Sequence, residues 1–527
     1  VRIIVDREEE IRKFKPEEYW TIDAKFIPKG SRKSFSASLY SDANGKIKIE
    51  NQEQAEKIEQ DLADAEYMIT KVKHGTRRKT PAPPFITSTL QQEASRKLGF
   101  QSRRTMKVAQ ELYEGVDIEG MGATGLITYM RTDSLRISDI AKEEAAQYIL
   151  NRFGEKFLPA KPRVFKTKSN AQDGHEAIRP SMPGLAPEDV KASLTSDQFK
   201  LYNLIWNRFM ASQMSDCIQK TTQAEISAKE YIFKASGYYV DFEGFTTLYV
   251  ESKDTEEEKS TQLPPLEKDM PVKCKELKKN QHFTQPPARY TEASLIKALE
   301  EYGIGRPSTY AATITTITSR EYVKREAKTL YPTELGEVMT NLMKERFPKI
   351  VNYKFTAQME ENLDEVEHGK EEWVELLDEF YSDFDKTLKK AKEEMEGVKL
   401  QLKEDQTDII CDKCGRQMVV KVGRYGKFIA CPGYPECKNV LKFVEKTGVK
   451  CPKCNGDVIV KHTKKKRVFY GCSNYPDCDF VSWNEPVNER CPQCGGILFK
   501  KKGKKPKLYC ATEGCGFEKE FVEKDGE

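Results

Sequence analysis

Hydrophobic and polar positions alternate in three stretches between residues 19 and 51, and the period of the pattern then lengthens. Residues 19–28 (YWTIDAKFIP), 34–41 (SFSASLYS) and 46–51 (KIKIEN) alternate as half-buried β-strands do. Residues 53–67 instead place apolar side chains at every third or fourth position, which predicts an α-helix. The stretch 71–84 (KVKHGTRRKTPAPP) is basic and then rich in proline, and it predicts a linker.

From residue 85 to about residue 215 the pattern is mainly helical. Ser88 and Gln91 fit a capping box at the start of the first of these helices, and Gly99 marks its end. Strand-like alternation returns at residues 223–245 (QAEISAKEYIFKASGYYVDFEGF). Because extended segments flank the helical one on both sides, we expect them to pair in one domain, with the helical segment inserted between them.

Residues 290–323 predict two helices that are joined by a short turn. Thr291 can cap the first helix, Gly303 can end it, and Pro307 suits the first turn of the second. The apolar faces of the two helices hold Leu295, Ile296, Leu299 and Tyr302 in the first and Tyr310, Ile314 and Ile317 in the second. Two helices with a short glycine turn resemble a helix-turn-helix.

The turn between these helices is also a candidate phosphate site. Backbone N–H groups near Ser308 and Thr309 lie beside Arg306 at the predicted start of the second helix, where anions bind well. A dinucleotide fingerprint is excluded, because Ser308 stands where the third glycine of that motif belongs. The pattern indicates nucleic-acid binding, and ordinary packing of two helices is the alternative.

The chain is long and polar. Its 527 residues exceed one compact core and suit three to five domains of ~100–200 residues each. Mean hydropathy is −0.68 and no run of about 18 apolar residues occurs, which argues against a membrane-spanning helix. The first residues, VRIIVDREEE, show no secretion leader, and we expect the native chain to begin further upstream.

Twelve of the 14 cysteines lie after residue 410, in three sets of four. Each set consists of two close pairs with 15 to 17 residues between them, a spacing that lets four thiolates surround one tetrahedral Zn²⁺. A disulfide framework is the alternative, but the threefold repetition and the lack of an export signal favour zinc. The expected ligands are Cys411, Cys414, Cys431 and Cys437; Cys451, Cys454, Cys472 and Cys478; and Cys491, Cys494, Cys510 and Cys515.

This cysteine-rich tail is basic. Residues 411–527 carry 24 Lys and Arg against 14 Asp and Glu, a formal charge of +10 that leaves −6 for the first 410 residues. Each four-thiolate site carries a charge of about −2, so three zinc sites reduce +10 to roughly +4. Local basic clusters and neighbouring aromatic rings therefore predict binding to single-stranded nucleic acid, with packing in small cores as the alternative for about half of the rings. The rings are Tyr434, Tyr470, Tyr475, Trp483 and Tyr509.

The stretch 125–138 (GLITYMRTDSLRIS) holds a candidate nucleophile. Tyr129 and Arg131 lie two residues apart and share a face if the chain is extended. A phenol can attack a phosphorus atom, and a guanidinium can hold the phosphate oxygens as charge develops. Ser138 can cap a following helix. The residues alone leave open that Tyr129 is an ordinary packed tyrosine.

A second candidate stretch is 173–180 (DGHEAIRP). It is not the zinc motif HExxH, because the fifth position is Arg179 rather than histidine. His175, beside Glu176 and Arg179, can orient a phosphate or transfer a proton. A structural histidine or a helix cap is the alternative.

Together these stretches resemble a known family. GLITYMRTDS, HEAIRP, QPPARYTEASLIKALEEYGIGRPSTYA and NYKFTAQMEENLDEVEHGK are similar to the type IA DNA topoisomerases, above all to bacterial topoisomerase I with C-terminal four-cysteine fingers. The resemblance implies relaxation of negatively supercoiled DNA without ATP. Tyr129 would be the nucleophile and leave a 5′-phosphotyrosine, Arg131 would contact the scissile phosphate, and His175 would support catalysis. The implied DNA-binding residues are Glu176, Arg179, Arg306, Ser308 and Thr309.

The implied fold is a multidomain α+β torus that is followed by three zinc ribbons. A helical gate domain (85–215) would carry Tyr129, and a β-rich arch would let it swing open. The remaining core would be a winged-helix-like DNA-binding domain. The expected boundaries are 26–84 and 216–287 for the arch, 1–25 and 288–405 for the DNA-binding domain, and 408–445, 448–486 and 488–522 for the zinc units.

The chain departs from this family in one respect. Type IA enzymes carry an acidic Mg²⁺-binding domain with a DxDxxGE-type motif, and that motif is not found here; Asp383-x-Asp385 is followed by Lys386. The family implies Mg²⁺ with ligands on an upstream domain. We therefore expect this polypeptide to bind single-stranded DNA and to relax DNA poorly until that segment is supplied.

Two other hypotheses remain. The chain could be a non-catalytic zinc-finger protein that binds or tethers DNA, or a tyrosine recombinase, although the match to the recombinase pattern is poor. The resemblance further implies a monomer that works in the cytoplasm at the nucleoid, with DNA as its partner, RNA polymerase as a candidate partner of the tail, and no membrane.

Overall fold

The computed structural model divides into two compact units, Val1–Leu400 and Gln401–Glu527, which are described separately. Among the residues that it describes, no helix has the length and apolar character needed to cross a membrane. The described residues are 1–166, 174–252, 262–397, 405–423, 426–444, 446–463, 468–501, 507–512 and 514–520.

The first unit mixes helices and strands. Its helices are α1 (Arg2–Lys13), α2 (Gln52–Leu62), α3 (Thr87–Glu93), α4 (Ser102–Glu114), α5 (Asp139–Phe153), α6 (Ser196–Ser212), α7 (Glu292–Glu301), α8 (Tyr310–Ser319), α9 (Glu334–Arg346), α10 (Tyr353–Glu367) and α11 (Trp373–Glu394). Its strands are β1 (Glu18–Pro28), β2 (Phe35–Asp42), β3 (Gly45–Lys46), β4 (Tyr67–Lys79), β5 (Val116–Ile118), β6 (Gly122–Thr124), β7 (Cys217–Ala228), β8 (Tyr231–Phe242), β9 (Pro271–Phe283), β10 (Val323–Glu326) and β11 (Thr329–Pro332).

Six of these strands form a closed antiparallel barrel. The order is β1-β9-β4-β7-β8-β2, and β2 pairs back to β1, with Phe26 opposite Phe35. The barrel core contains aromatic rings, among them Phe26 at 5.1 Å from Tyr67 and 5.7 Å from Phe233 between ring centroids. The expectation that the extended segments before and after the helical insertion pair with each other is therefore confirmed.

Three predictions for the segment before the insertion are wrong in detail. The predicted linker 71–84 is mostly strand, because β4 continues to Lys79 and pairs with β7 from Met68 onward. Its basic side chains do not prevent this, since that part of the strand is exposed and its charges stay in water. The helix predicted for 53–67 ends at Leu62, and only Lys46 of the predicted strand 46–51 lies in a strand.

The helical insertion leaves and re-enters the barrel at one place. Lys79, the last residue of β4, lies directly opposite Cys217, the first residue of β7. Between them, α3 to α6 surround an apolar core that includes Phe85, Leu112 and Phe209. Two adjacent strand ends therefore connect the whole insertion to the barrel.

The start of α3 differs from the prediction. The helix begins at Thr87, and the hydroxyl of Thr89 accepts a hydrogen bond from the Ile86 N–H at 3.0 Å. Ser88 and Gln91 are buried instead of capping, because the first turn packs inside the protein. A short π-helix continues α3 from Ala94 to Leu98, and left-handed Gly99 (φ 66°) ends it as predicted.

A third core joins α1, α7, α8 and the β10–β11 hairpin, which has the layout of a winged helix. Thr291 caps α7 as predicted, by accepting a hydrogen bond from the Ser294 N–H. Tyr302 does not lie in the apolar face; it is 47% exposed and stacks on Tyr353 at 5.5 Å. The second helix begins at Tyr310 rather than at Pro307, because residues 307–309 form a turn.

The described residues of the second unit form three four-stranded antiparallel sheets, one for each set of four cysteines. The second and third sheets also contact each other, for example through Phe480 and Phe499 at 6.4 Å. The strands are β12 (Asp405–Ile410), β13 (Gln417–Gly423), β14 (Gly426–Ala430), β15 (Val440–Lys442), β16 (Lys446–Lys450), β17 (Asp457–His462), β18 (Val468–Cys472), β19 (Val481–Ser482), β20 (Glu485–Arg490), β21 (Ile497–Lys501), β22 (Lys507–Cys510) and β23 (Glu518–Glu520).

Candidate active site and zinc sites

The segment that carries Tyr129 is held on one side by the segment that follows His175. The Thr128 N–H donates to the carbonyl of Arg179 at 3.0 Å, and the Arg179 N–H donates to the Thr128 hydroxyl at 3.0 Å. The Thr128 hydroxyl in turn donates to the Ala177 carbonyl at 2.6 Å. These bonds fix the register of the two segments and bring Tyr129 next to His175.

Thr87 holds the same segment on its other side. Its hydroxyl donates to the carbonyl of Met130 at 2.7 Å and accepts from the Thr132 N–H at 2.9 Å. Ile127 and Met130 are buried on either side of Tyr129. A side chain between such anchors has few alternative positions, which favours a precisely placed reactive group.

Tyr129 is half-buried between two other rings. Its ring centroid lies 5.1 Å from that of His175, with the planes tilted by 43°, and 5.4 Å from that of Tyr113 in an edge-on contact. Such aromatic contacts orient the phenol without consuming its hydroxyl. The imidazole of His175 lies close enough to act on a phosphate that is bound at the Tyr129 hydroxyl.

Arg131 differs from most arginines of this unit. Its side chain is exposed and makes no hydrogen bond or ion pair with any residue that the structure describes. A guanidinium has five N–H donors, which suit the oxygens of a phosphate. Arg131 is therefore available to an anionic ligand two residues after Tyr129.

In this site Arg179, which is buried, pairs with the partly exposed Glu176. The Nε and Nη2 atoms of Arg179 donate to Glu176 Oε2 at 2.9 and 2.5 Å, and Nη1 donates to the Pro180 carbonyl at 2.9 Å. Nη2 also lies 3.2 Å from the hydroxyl of Ser138, which caps α5 as predicted. This pairing favours a positioning role for both residues, and their predicted contact with DNA stays a prediction.

The predicted phosphate loop is also paired internally. Arg306 Nη2 lies 2.7 Å from Asp364 Oδ2 and Nη1 lies 3.6 Å from Glu360, while its N–H donates to the Thr309 hydroxyl at 2.8 Å. Burial would lower the pKa of Arg306, but the hydrogen bond that it donates to Asp364 and the two acidic charges raise it overall. Ser308 is exposed beside them. A phosphate at this loop would have to compete with Asp364.

A cavity of about 620 Å³ joins this loop to the segment after Tyr129. Its walls include Thr132 and Asp133 on one side and Arg306 and Tyr310 on the other. The structure thus brings together two stretches that lie more than 170 residues apart in the sequence, the one with Tyr129 and Arg131 and the one with Arg306, Ser308 and Thr309.

The twelve predicted zinc ligands form three compact groups. Within each group, all four sulfur atoms lie within 4.8 Å of one another, and none of the cysteines is in a disulfide. The closest pairs are 3.2 Å apart (Cys414–Cys431), 3.3 Å apart (Cys454–Cys472) and 3.4 Å apart (Cys494–Cys510). Four sulfurs around one Zn²⁺ at about 2.3 Å lie just under 4 Å apart, so the groups fit a structural zinc ion.

Two hydrogen-bond donors lie beside sulfur atoms of the first zinc site. The side-chain amide of Asn439 lies 3.3 Å from the sulfur of Cys411, and the Gly433 N–H lies 3.4 Å from that of Cys431. Such donors favour the charged thiolate form that binds a metal. The zinc ions would therefore hold each small sheet together, because the apolar cores beside them contain only a few side chains.

The aromatic rings of the tail fall into two groups. Tyr434, Tyr475 and Trp483 are more than 60% exposed, whereas Tyr470 is buried and Tyr509 packs against Phe499. The exposed rings are available for stacking on bases.

Magnesium has no comparable site in the described part of the chain. There, the groups with metal-ligand geometry are the three cysteine sets. Asp383 and Asp385 pair with Lys349 at 2.6 Å and Lys389 at 2.7 Å instead. The predicted requirement for Mg²⁺ therefore finds no ligand set among these residues.

Several residues of the site were not predicted from the sequence. Thr87 and Thr128 have no motif that marks them, although each lies one or two residues from a predicted feature. Glu292 was also missed: it directly follows the cap residue Thr291, and its carboxylate accepts hydrogen bonds from Ser102 in the helical insertion. Such partners lie far apart in the sequence, so local spacing gives no signal for them.

A winged helix, a half-buried tyrosine near an arginine that has no partner among the described residues, and three four-cysteine sheets are features typical of proteins that act on nucleic acid. Comparison with known proteins agrees. Residues 1–378 match the DNA topoisomerase family, and residues 408–446, 448–487 and 488–512 match the topoisomerase DNA-binding C4 zinc finger. The chain therefore belongs to the DNA topoisomerase family, with the type IA fold.

A solved structure extends this match. The full-length topoisomerase I from Thermotoga maritima is 35% identical over an alignment that covers 87% of this chain and 70% of that chain, with a TM-score of 0.65. The fold class and the four-cysteine zinc ribbons that the sequence predicted are thereby confirmed.

Proposed function

We propose that this chain changes DNA topology by cutting and rejoining one strand through Tyr129. The observation that carries the proposal is the placement of Tyr129 beside His175, with Arg131 two residues away and its guanidinium unpaired among the described residues. Belonging to the topoisomerase family supports DNA as the substrate. The individual roles of the three residues rest on the geometry described above and on the resemblance.

The proposed reaction exchanges one phosphodiester bond for another. The Tyr129 oxygen attacks the scissile phosphorus and its phenolic proton leaves to solvent, while the bond between phosphorus and the 3′ oxygen breaks and that oxygen takes up a proton. The products are a 5′-phosphotyrosine and a free 3′-hydroxyl. Because the bond energy is retained, the reverse attack reseals the strand without a nucleotide cofactor.

Arg131 and His175 would assist this exchange. The exposed guanidinium of Arg131 can hold the two non-bridging oxygens of the phosphate and stabilise the charge that develops on them. The imidazole of His175 can hold the same phosphate or the displaced 3′ oxygen. No step is assigned to Mg²⁺, because the described residues offer no ligand set for it.

Strand passage requires the helical segment 85–215 to separate from the rest of the first unit. Both of its connections leave the barrel at the paired ends Lys79 and Cys217, which suits a hinge. We call residues 85–215 the gate. Negative supercoiling would supply the driving force, and opening and closing of the gate would limit the rate.

The zinc ribbons would bind single-stranded DNA through the exposed rings of Tyr434, Tyr475 and Trp483 and the neighbouring lysines. RNA polymerase stays a predicted partner of this tail, and a monomer that acts at the nucleoid stays the expected state.

The decisive variant is Tyr129→Phe, which removes one oxygen and leaves the ring contacts in place. We expect this variant to bind a single-stranded oligonucleotide like the unchanged chain and to form no covalent adduct with it. Tyr113→Phe is the matched control and should keep the adduct. If the chain were a non-catalytic tether, neither substitution would change anything that the assay measures.

A further inference from the structure

One carboxylate joins the gate to the winged helix. Glu292, at the start of α7, is 4% exposed, and its Oε2 atom accepts hydrogen bonds at 2.7 Å from both the N–H and the hydroxyl of Ser102. Ser102 is the first residue of α4 in the gate and is 1% exposed. The other oxygen, Oε1, accepts from Arg325 on the wing strand β10.

This carboxylate supplies a cap that α4 lacks. Gln101 precedes the helix and makes no side-chain capping bond, and the first turn holds no acidic residue. The first turns of helices leave N–H groups unpaired and attract negative charge. Glu292 therefore caps a gate helix from outside the gate.

The neighbouring helix of the gate, α3, has features that destabilise the closed position instead. The hydroxyl of Ser88 and both amide atoms of Gln91 are buried and make no hydrogen bond with any residue that the structure describes. Ser88 faces the cavity that Glu300, Gly303 and Tyr310 of the winged helix also line, and Gln91 follows it by one turn on the same face. Buried polar groups without partners destabilise the state that buries them.

We propose that Glu292 and Ser102 form a latch that holds the gate closed, and that Ser88 and Gln91 favour its opening. When the gate departs, Ser102 loses its partner, but Glu292 keeps Arg325, so that no lone charge is left behind on the winged helix. Water then satisfies Ser88 and Gln91. The inference rests on the proposed function, since it needs a gate that moves.

The two halves of the proposal predict opposite effects of single substitutions. Glu292→Gln and Ser102→Ala weaken the latch and should raise the open fraction, on the order of tenfold for Glu292→Gln and severalfold for Ser102→Ala. Ser88→Ala removes a hydroxyl that has no partner and should lower the open fraction. Glu301→Gln is the matched control, because Glu301 is exposed on the same helix and contacts only Lys297 at 3.9 Å among the described residues.

The measurement is single-molecule energy transfer between dyes on the full chain. Noncanonical residues at Ile140, which is 71% exposed on α5, and at Glu326, which is exposed on β10, carry the dyes and spare the zinc-binding cysteines. Open fractions that rise for Glu292→Gln and Ser102→Ala and fall for Ser88→Ala support the latch. Open fractions equal to that of Glu301→Gln for both latch variants, or a rise for Ser88→Ala, overturn it.

Two further features keep this test decisive. Ser102→Ala removes only a hydroxyl, so it carries the test if Glu292→Gln does not fold. Covalent adduct formation by the unlabelled chain is measured in parallel. If the adduct forms but the substitutions do not change the open fraction, the latch is wrong and the proposed function stands. If the open fraction responds as expected but no adduct forms, the latch stands and the proposed chemistry is wrong.

Discussion

The hydroxyl of Thr128 donates a hydrogen bond to the carbonyl of Ala177 at 2.6 Å, and this contact sets Tyr129 beside His175. We expect Thr128→Val to loosen that register and to lower the yield of covalent adduct roughly tenfold, since small misplacements of reacting groups have large effects on rate. Thr128→Ser keeps the hydroxyl and should restore the yield. Quantifying adducts on a labelled oligonucleotide checks this, and equal yields for the Val and Ser variants would contradict it.

The two arginines of the site should respond differently to substitution. Arg179 is buried and donates hydrogen bonds to the partly exposed Glu176, so Arg179→Ala should destabilise the first unit by about 1–3 kcal/mol, the usual effect of leaving charged hydrogen-bonding groups without their partner. Arg131 is exposed and has no partner among the described residues, so Arg131→Ala should leave the melting temperature unchanged while the adduct yield falls. Thermal unfolding and adduct assays on both variants separate the roles. A destabilised Arg131→Ala protein would contradict this assignment.

Zinc removal should unfold the tail and spare the first unit. The small sheets of residues 405–520 have few apolar side chains besides the cysteines, so a chelator should abolish their protection from hydrogen exchange. Residues 1–397 contain no cysteine set and should keep their protection. Cys451→Ser should lower the bound zinc from three ions to two, and Cys274→Ser should keep all three. Mass spectrometry under native conditions counts the ions; an unchanged count in Cys451→Ser would exclude this site.

Alkaline pH should destabilise the barrel through Tyr67. Burial, together with the nearby thiol of Cys274, raises the pKa of Tyr67 to about 12. The neutral phenol is therefore favoured in the folded state, and its contribution to stability is complete below the ordinary pKa of about 10 and disappears as the pH rises through 12. Tyr67→Phe should flatten the fall in stability between pH 10 and 12, whereas Tyr239→Phe, on an exposed side chain, should not. Urea unfolding at a series of pH values gives the comparison.

Local patterns predicted the elements that depend on local chemistry. The alternation in β1, β2, β7 and β8, the caps at Ser138 and Thr291, and the glycine stop at Gly99 all act within a few residues. The cysteine spacing predicted the three zinc groups for the same reason. These parts of the fold could be predicted because the residues that interact in them are close together in the sequence.

The parts that were not predicted depend on distant partners. β4 is a strand because β7 pairs with it about 150 residues later, which outweighs its basic composition and the prolines after it. The contacts of Thr87 with Met130 and of Glu292 with Ser102 likewise join remote segments. The predicted DNA contacts of Arg179 and Arg306 stay predictions, and the ion pairs of these residues with Glu176 and Asp364 had no signal in the local sequence.

The most direct test identifies the residue that is joined to DNA. A single-stranded oligonucleotide is trapped on the chain by denaturation, the complex is digested to peptides, and mass spectrometry locates the nucleotide. The account predicts a 5′-phosphate on the oxygen of Tyr129 and a free 3′-hydroxyl on the released strand. A nucleotide on any other residue, or one that is joined through its 3′ phosphate, would contradict it.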